Sequence, residues 1–220
     1  MKKLIVSILM LAPLASFAQN TWEVPTTEKK ETTQRKALFE GKKKTIDAKY
    51  LAGAVPEVDG KVTFTLDLDV AGKSADEIYN KVFNVLQEMT TEENQIKELA
   101  DKSKIAVVNK TEHTIAAKYK EWLVFRNSAL SLDRTVFNYT IIAKATDGHL
   151  NLTLSRISYQ YEFERNDAEG MSVSAEEWIS DKAALNKKKT GLLKYTKKFR
   201  IKTIDRKDNI FETISNALRQ

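Results

Sequence analysis

No cysteine occurs among the 220 residues, and that absence removes three options at once. There is no disulfide to staple the fold, no thiolate to hold zinc, and no acylated cysteine to make a lipoprotein. Histidine is nearly as scarce, with only His113 and His149. Both fall near expected turns, two strands apart, and neither belongs to an HExxH helix, so no metal site is expected. The seven glycines are all isolated. The chain therefore carries no phosphate-cradling GxxxxGKS/T loop, no dinucleotide-binding GxGxxG turn and no GxSxG nucleophile elbow, and no cofactor is expected. The apolar stretch from Leu4 to Leu14 is too short for a final membrane anchor, which needs roughly 20 apolar residues.

That stretch reads instead as part of a secretory leader. Lys2 and Lys3 precede it, and the small residues Ser16 and Ala18 follow it, so cleavage is expected between Ala18 and Gln19. Residues 1–18 are then a signal peptide, and the mature protein is exported, periplasmic or secreted, and soluble. Losing Lys2 and Lys3 but no acid lowers the formal charge from +6 to +4. Without disulfides in an oxidising compartment, stability has to come from a packed core. A hydrophobic content of 42% with 30% charged residues fits such a core plus solvated segments.

Residues 19–45 are rich in Thr, Lys and Glu without a steady apolar period, which predicts an extended or disordered arm. Gly53, Pro56 and Gly60 then punctuate a loop. Val62, Phe64, Leu66, Leu68 and Val70 alternate with polar residues, as in a strand with one buried face. Ser74 with Glu77 makes a capping box for a helix from about Ala75 to Thr90, with Ile78, Val82, Val85, Leu86 and Met89 on one stripe. A helical turn or two fits residues 91–103. Four strand-like runs follow: "KIAVVN", "HTIAAKYKEWLVF", "DRTVFNYTIIAKA" and "HLNLTLSRISYQYE". Asp147-Gly148 suits a two-residue hairpin between the last two. In the last run, apolar parity changes from Leu150, Leu152 and Leu154 to Ile157, Tyr159 and Tyr161, which predicts a β-bulge near Ser155–Arg156. Ser174 with Glu177 is a second capping box, for a helix to about Asn186, and a last helix is expected from Lys207 to Leu218. This order, β-α-β-β-β-β and then helices, predicts an α+β fold with a single antiparallel sheet and helices on one face. The main domain would span residues 46–165, with residues 166–220 as a C-terminal helical extension packing on it.

The segments "DAKYLAGAVPEVDGKVTFTLDLDVAGKSADEIYNKV", "NKTEHTIAAKYKEWLVF", "SLDRTVFNYTIIA", "DGHLNLTLSRISY" and "AEEWISDKAALNKKKT" together resemble a family of exported bacterial proteins of unknown function with a TATA-binding-protein-like fold. The resemblance covers about Asp47 to Leu218. It implies one curved antiparallel sheet with helices on its convex side. It implies no catalytic residue, because the family has no assigned chemistry. Nor does it imply DNA binding. The TATA-binding protein works through two such halves in tandem, with Phe wedges in the minor groove, and this chain has length for one half. A fold alone does not carry a function.

Among candidate functional residues, Asp67 and Asp69 share the wet face of the first strand, where paired carboxylates suit acid–base work, Ca²⁺ binding or simple solvation. Glu176 and Glu177 open a helix, where negative charge suits the dipole. Trp122 points away from the apolar face together with Lys118 and Lys120, as a carbohydrate or peptide platform would, or as a side chain covered by a terminal segment. The run from Asn186 to Thr203 holds eight Lys or Arg and no acid. Its Lys187, Lys188, Lys189, Lys197, Lys198 and Arg200 suit an anionic envelope surface, or else a connector whose apolar residues dock on the fold. The expected function is a non-enzymatic binding or assembly module of the cell envelope. Its partner would be an envelope protein, a glycan or an anionic surface, with no physiological nucleic acid. A hydrolase with an unrecognised carboxylate site is the enzymatic alternative. The expected state is a monomer or weak homo-oligomer.

Overall fold

The structure, a computed structural model, describes residues 46–97, 101–162 and 170–220. The expected leader, its Ala18–Gln19 cleavage point and the polar arm lie outside the described residues. A 3-10 turn at Ala48–Tyr50 leads into a hairpin of β1 (Glu57–Val58) and β2 (Lys61–Val62). This region reads as a loop in the sequence, yet Asp59 and Gly60 both take positive φ, 50° and 72°. That is the backbone of an Asp-Gly hairpin turn.

The alternating run forms β3 (Phe64–Asp69). Helix α1 (Ala75–Met89) follows behind the expected capping box, in which Ser74 Oγ accepts from the Glu77 amide and Glu77 Oε2 accepts from the Ser74 amide. Ile78, Val82, Leu86 and Met89 are its buried stripe. Then come β4 (Lys104–Asn109), β5 (Thr114–Ser128), β6 (Ser131–Thr146) and β7 (His149–Tyr161). They form one antiparallel sheet in the order β3-β7-β6-β5-β4, and β8 (Met171–Ser174) pairs with the end of β7. The register slips between Asn138 and Thr140 on β6, opposite Ser155 and Ser158 on β7. The bulge foreseen from the change of parity is there.

One sheet face is the core. Ile115, Ala117, Tyr119 and Leu123 of β5 lie beside Phe137, Tyr139 and Ile141 of β6 and Leu150, Leu152, Leu154, Ile157 and Tyr159 of β7. An aromatic ladder crosses the strands, with ring centroids 5.0 Å apart for Tyr119–Tyr139, 4.8 Å for Phe137–Tyr139 and 5.6 Å for Phe137–Tyr159. Helix α1 and the C-terminal helix pack on this face. Tyr119 donates to the Leu86 carbonyl at 2.7 Å, and Tyr159 meets Thr203 Oγ1 at 2.7 Å.

The helical elements depart from expectation at three points. Residues 92–97 are not helical: the Trp122 amide donates to Asn94 O and the Ile96 amide to Lys120 O, so this segment extends the sheet edge alongside β5. The helix expected to run to Asn186 is two short ones, α2 (Ala175–Trp178) and α3 (Asp181–Ala184). Ser180 interrupts it by capping α3 through the Ala183 amide. The last helix, α4, runs over Lys197–Arg219 and so begins ten residues early, inside the basic run. Its buried stripe is Phe199, Thr203 and Ile204, then Ile210, Ile214 and Leu218. The gap in that stripe holds Arg206, whose guanidinium is spent inside the fold.

That guanidinium meets Glu121, a fully buried carboxylate on the core face of β5. Arg206 Nε donates to Glu121 Oε1 at 2.8 Å and its NH2 to Glu121 Oε2 at 2.9 Å and to Glu92 at 2.6 Å. Tyr139 and Gln95 also donate to Glu121, at 3.2 and 2.9 Å, and Ser103 donates to Gln95. Burial first, and then the negative charge of Glu121, push the Tyr139 phenol well above its usual range. Removing one partner of such a pair leaves a buried charge unpaired. Glu121→Ala is expected to lower the free energy of unfolding by about 3–5 kcal/mol in a denaturant titration, and Glu121→Leu with Arg206→Met to recover most of that loss. A single-variant loss below about 1 kcal/mol would show that the pair does not hold the layers together.

Candidate functional site

Strand parity decides what lies on the other sheet face. With Tyr119, Glu121 and Leu123 buried, Lys118, Lys120 and Trp122 must point away from the helices. No helix among the described residues packs against that side. Lys118 is exposed, and Lys120 and Trp122 are half-buried. Trp122 is in register with Val136, so Arg134 is its diagonal neighbour on β6. The Arg134 guanidinium sits 3.5 Å from the Trp122 ring centroid, a cation–π contact worth about 0.5–1 kcal/mol at such a site. Beside it, Lys118, Lys120, Asn138 and Thr140 border an open depression of about 250 Å³. Sequence parity therefore finds Trp122 and its two lysines, but not Arg134, whose role depends on cross-strand register.

The candidate carboxylates have structural partners. His149 lies between Asp67 and Asp69, with Nε2 at 2.5 Å from Asp67 Oδ1 and Nδ1 at 2.9 Å from Asp69 Oδ1. The β3–β7 register places His149 directly opposite Asp69. Both ring nitrogens face carboxylates, an arrangement that favours the doubly protonated ring. Glu177 closes the second capping box, and the Ser174 amide and hydroxyl hold its carboxyl below the usual range. Glu176 does not cap; its Oε1 accepts from the Val62 amide at 2.8 Å and ties α2 to β2. His113 lies 3.1 Å from Asp76 at the start of α1.

The basic run divides into inner and outer parts. Arg200 is fully buried. It donates to the carbonyls of Tyr50, Leu51 and Ile179 at 2.6–2.7 Å and to Asp181 Oδ1 at 2.7 Å. The expectation of a surface contact at Arg200 is therefore replaced by a structural role. Lys198 is held by Asp133 at 2.8 Å and by the Tyr161 hydroxyl at 2.7 Å, and lies over the Phe125 and Tyr161 rings. Phe199 is buried in the aromatic cluster and Leu192 is half-buried, so the run docks through its apolar residues. Lys187, Lys188, Lys189, Lys194 and Lys197 stay exposed, with Leu193 and Tyr195 among them. Among the described residues, no helix is long and apolar enough to cross a membrane.

Comparison with known proteins places this geometry. A family model described as a domain of unknown function (DUF4468) with TBP-like fold matches residues 64–160. The chain is similar to a DUF4468 family protein of known crystal structure from Bacteroides ovatus ATCC 8483, at 39% identity and a TM-score of 0.71, over 80% of this chain and 96% of that one. It also shares its fold with a TBP-like protein from Parabacteroides distasonis ATCC 8503, at a TM-score of 0.60 and 23% identity, over 76% of this chain and 97% of that one. No curated protein matches the chain.

The His149 clamp has a measurable pH signature. The Asp69 hydrogen bond is the largest influence on the imidazole; burial opposes it, and the charge and hydrogen bond of Asp67 add to it, so the ring is raised above its ordinary 6.5. A raised folded-state value means the clamp stabilises fully below the unfolded value and fades as pH rises through the folded one. An NMR titration should find the His149 midpoint above 6.5, and Asp67→Asn with Asp69→Asn should bring it back down. A midpoint unchanged by the double substitution would contradict the clamp.

Proposed function

We propose that this chain, which belongs to the DUF4468 family of TBP-like fold, is an exported, non-enzymatic binding module of the cell envelope that contacts its partner through the sheet face opposite the helices. The observation that carries this reading is Trp122 with Arg134 stacked on it, next to Lys118 and Lys120, on a face that no described helix covers. A half-buried indole braced by a guanidinium is a rigid apolar plate with polar edges, the kind of group that dominates recognition surfaces. The structural engagement of Asp67, Asp69, Glu176 and Glu177 supports binding over a carboxylate-based hydrolase. The lysine-rich leader with its small-residue end supports export.

The test is capture from envelope extracts by the immobilised protein, compared with Trp122→Ala and with Lys118→Glu/Lys120→Glu. The lysine variant should keep its melting temperature, Trp122→Ala should stay folded with a lowered one, and each should lose about tenfold of the specifically captured material, equivalent to about 1.4 kcal/mol. Equal capture by wild type and both variants would sink this face as the site.

A second reading rests on Leu193 and Tyr195, 42% and 83% exposed amid Lys187, Lys188, Lys189, Lys194 and Lys197. Exposed apolar side chains among lysines suit the interface of an anionic membrane, where each cation adds about 1 kcal/mol. Flotation with anionic liposomes should then fall with added salt and with reversal of charge at Lys187–Lys189. Absence of flotation at low salt would exclude this reading.

A further inference from the structure

The bulge in β7 has a property that sheet geometry alone does not require. Its extra residue, Arg156, takes φ 55°. In bulges that use the left-handed region the natural occupant is glycine, because any Cβ is strained there. Arg156 is exposed, so it is not held in place by core packing. A strained, non-glycine residue in a central strand points to a use for its side chain.

The neighbours of Arg156 indicate that use. On the open face, Lys118 is in register with Thr140, and Thr140 with Ser155; Lys120 is in register with Asn138, and Asn138 with Ser158. These are two cross-strand rungs, and the bulge inserts Arg156 between their β7 ends. Lys102 closes a third side, and the space between is the depression of about 250 Å³. Four cations thus face one hollow against a single acid, Asp101. Lys102, Lys118, Lys120 and Arg156 make no ion pair with another described residue. Mutually repelling cations left uncompensated around a cavity lower their energy when an anion enters it. Asn138 and Thr140 add neutral hydrogen-bonding groups at the floor, and the guanidinium fork matches phosphate oxygens. The volume lies just under the roughly 300–1,000 Å³ of sites for drug-sized ligands, which favours a terminal group over a whole polymer.

We infer that this pocket binds a phosphate monoester group, with Arg156 as its fork and Lys118 and Lys120 as flanking charges. The assignment rests on the reading of the open face as the binding surface and names the chemistry that this face takes. A soluble sugar phosphate and a lipid headgroup both present this group, and the pocket contacts only the charged end.

The test follows backbone amides of the purified protein by NMR during titration with inorganic phosphate, glucose 6-phosphate, and vesicles of phosphatidylcholine with and without phosphatidic acid. Saturable shifts clustered at residues 118–120, 138–140 and 155–158 are expected with at least one phosphate probe. Preference for glucose 6-phosphate identifies a soluble ester, and line broadening only with phosphatidic acid identifies a headgroup. Arg156→Gly relieves the strained φ, so it should keep or raise the melting temperature while weakening binding at least tenfold. Lys118→Gln/Lys120→Gln should weaken binding without touching the bulge, and it covers the case in which the glycine variant misfolds. No saturable shift with any probe, or binding unchanged in these variants, overturns the inference. Capture that depends on Trp122 is read separately. Its persistence without phosphate binding would leave the face as a binding surface with a different ligand, and its loss with phosphate binding intact would do the reverse.

Discussion

The Glu121–Arg206 pair is the interaction on which the other placements depend. A carboxylate at 0% exposure on the apolar face of β5 is tolerable only if a cation reaches it, and α4 delivers one across the core. Meeting that demand fixes the rotation of α4 on the sheet, because Arg206 must point inward along with Phe199, Ile210 and Ile214. It also draws in Glu92 and Gln95, so the segment after α1 runs along β5. And because Glu121 faces in, Lys120 and Trp122 face out. The chemistry of the open face is thus the other side of a constraint set in the core. Arg200, six residues earlier on α4, does a parallel job for loops, tying residues 50–51, 179 and 181 together through three carbonyls and one carboxylate.

Where local pattern and tertiary demand agreed, the sequence was legible. The alternation in β3, both capping boxes, the order of the long strands and even the bulge followed from parity and spacing alone. Legibility failed where a polar residue occupied a core position. Arg206 interrupts the apolar stripe of α4, so sequence periodicity starts the helix only at Lys207. Glu121 carries a charge although its parity with Tyr119 and Leu123 places it inside. Arg200 looked like one more cation of a basic run, because nothing local announces three backbone acceptors from distant loops. In the candidate site, Lys118, Lys120 and Trp122 were legible from parity. Arg134 and Arg156 were not: one depends on cross-strand register, the other on which residue the bulge ejects.

Family membership and fold agree with this architecture but leave its use open. The TATA-binding protein bends DNA with apolar wedges. Here the positions of the open face, read strand by strand, include Asp67 and Asp69, Asn151 and Thr153, Asn138 and Thr140, and Lys118 and Lys120, with Trp122 and Ile142 as apolar members. Such a surface mixes hydrogen-bonding groups and charge with a few apolar side chains. A shared fold does not fix the exposed face, because a sheet holds its shape from its buried face and leaves the other free to vary.

The strand order also governs how the chain is made. β5, β6 and β7 join through short turns and can zip as they leave the ribosome. β3 cannot, because its partner β7 is the last long strand, with Phe64 meeting Leu154. The ladder of Tyr119, Tyr139, Phe137 and Tyr159 is roofed in part by Phe199 of α4, which is synthesised after all the long strands. Through most of translation, a sticky aromatic surface and an unmated strand therefore coexist, a state prone to wrong association. Holding the chain unfolded until α4 is available would protect it, so a stop within α4 should yield not a slightly shorter protein but an aggregating one.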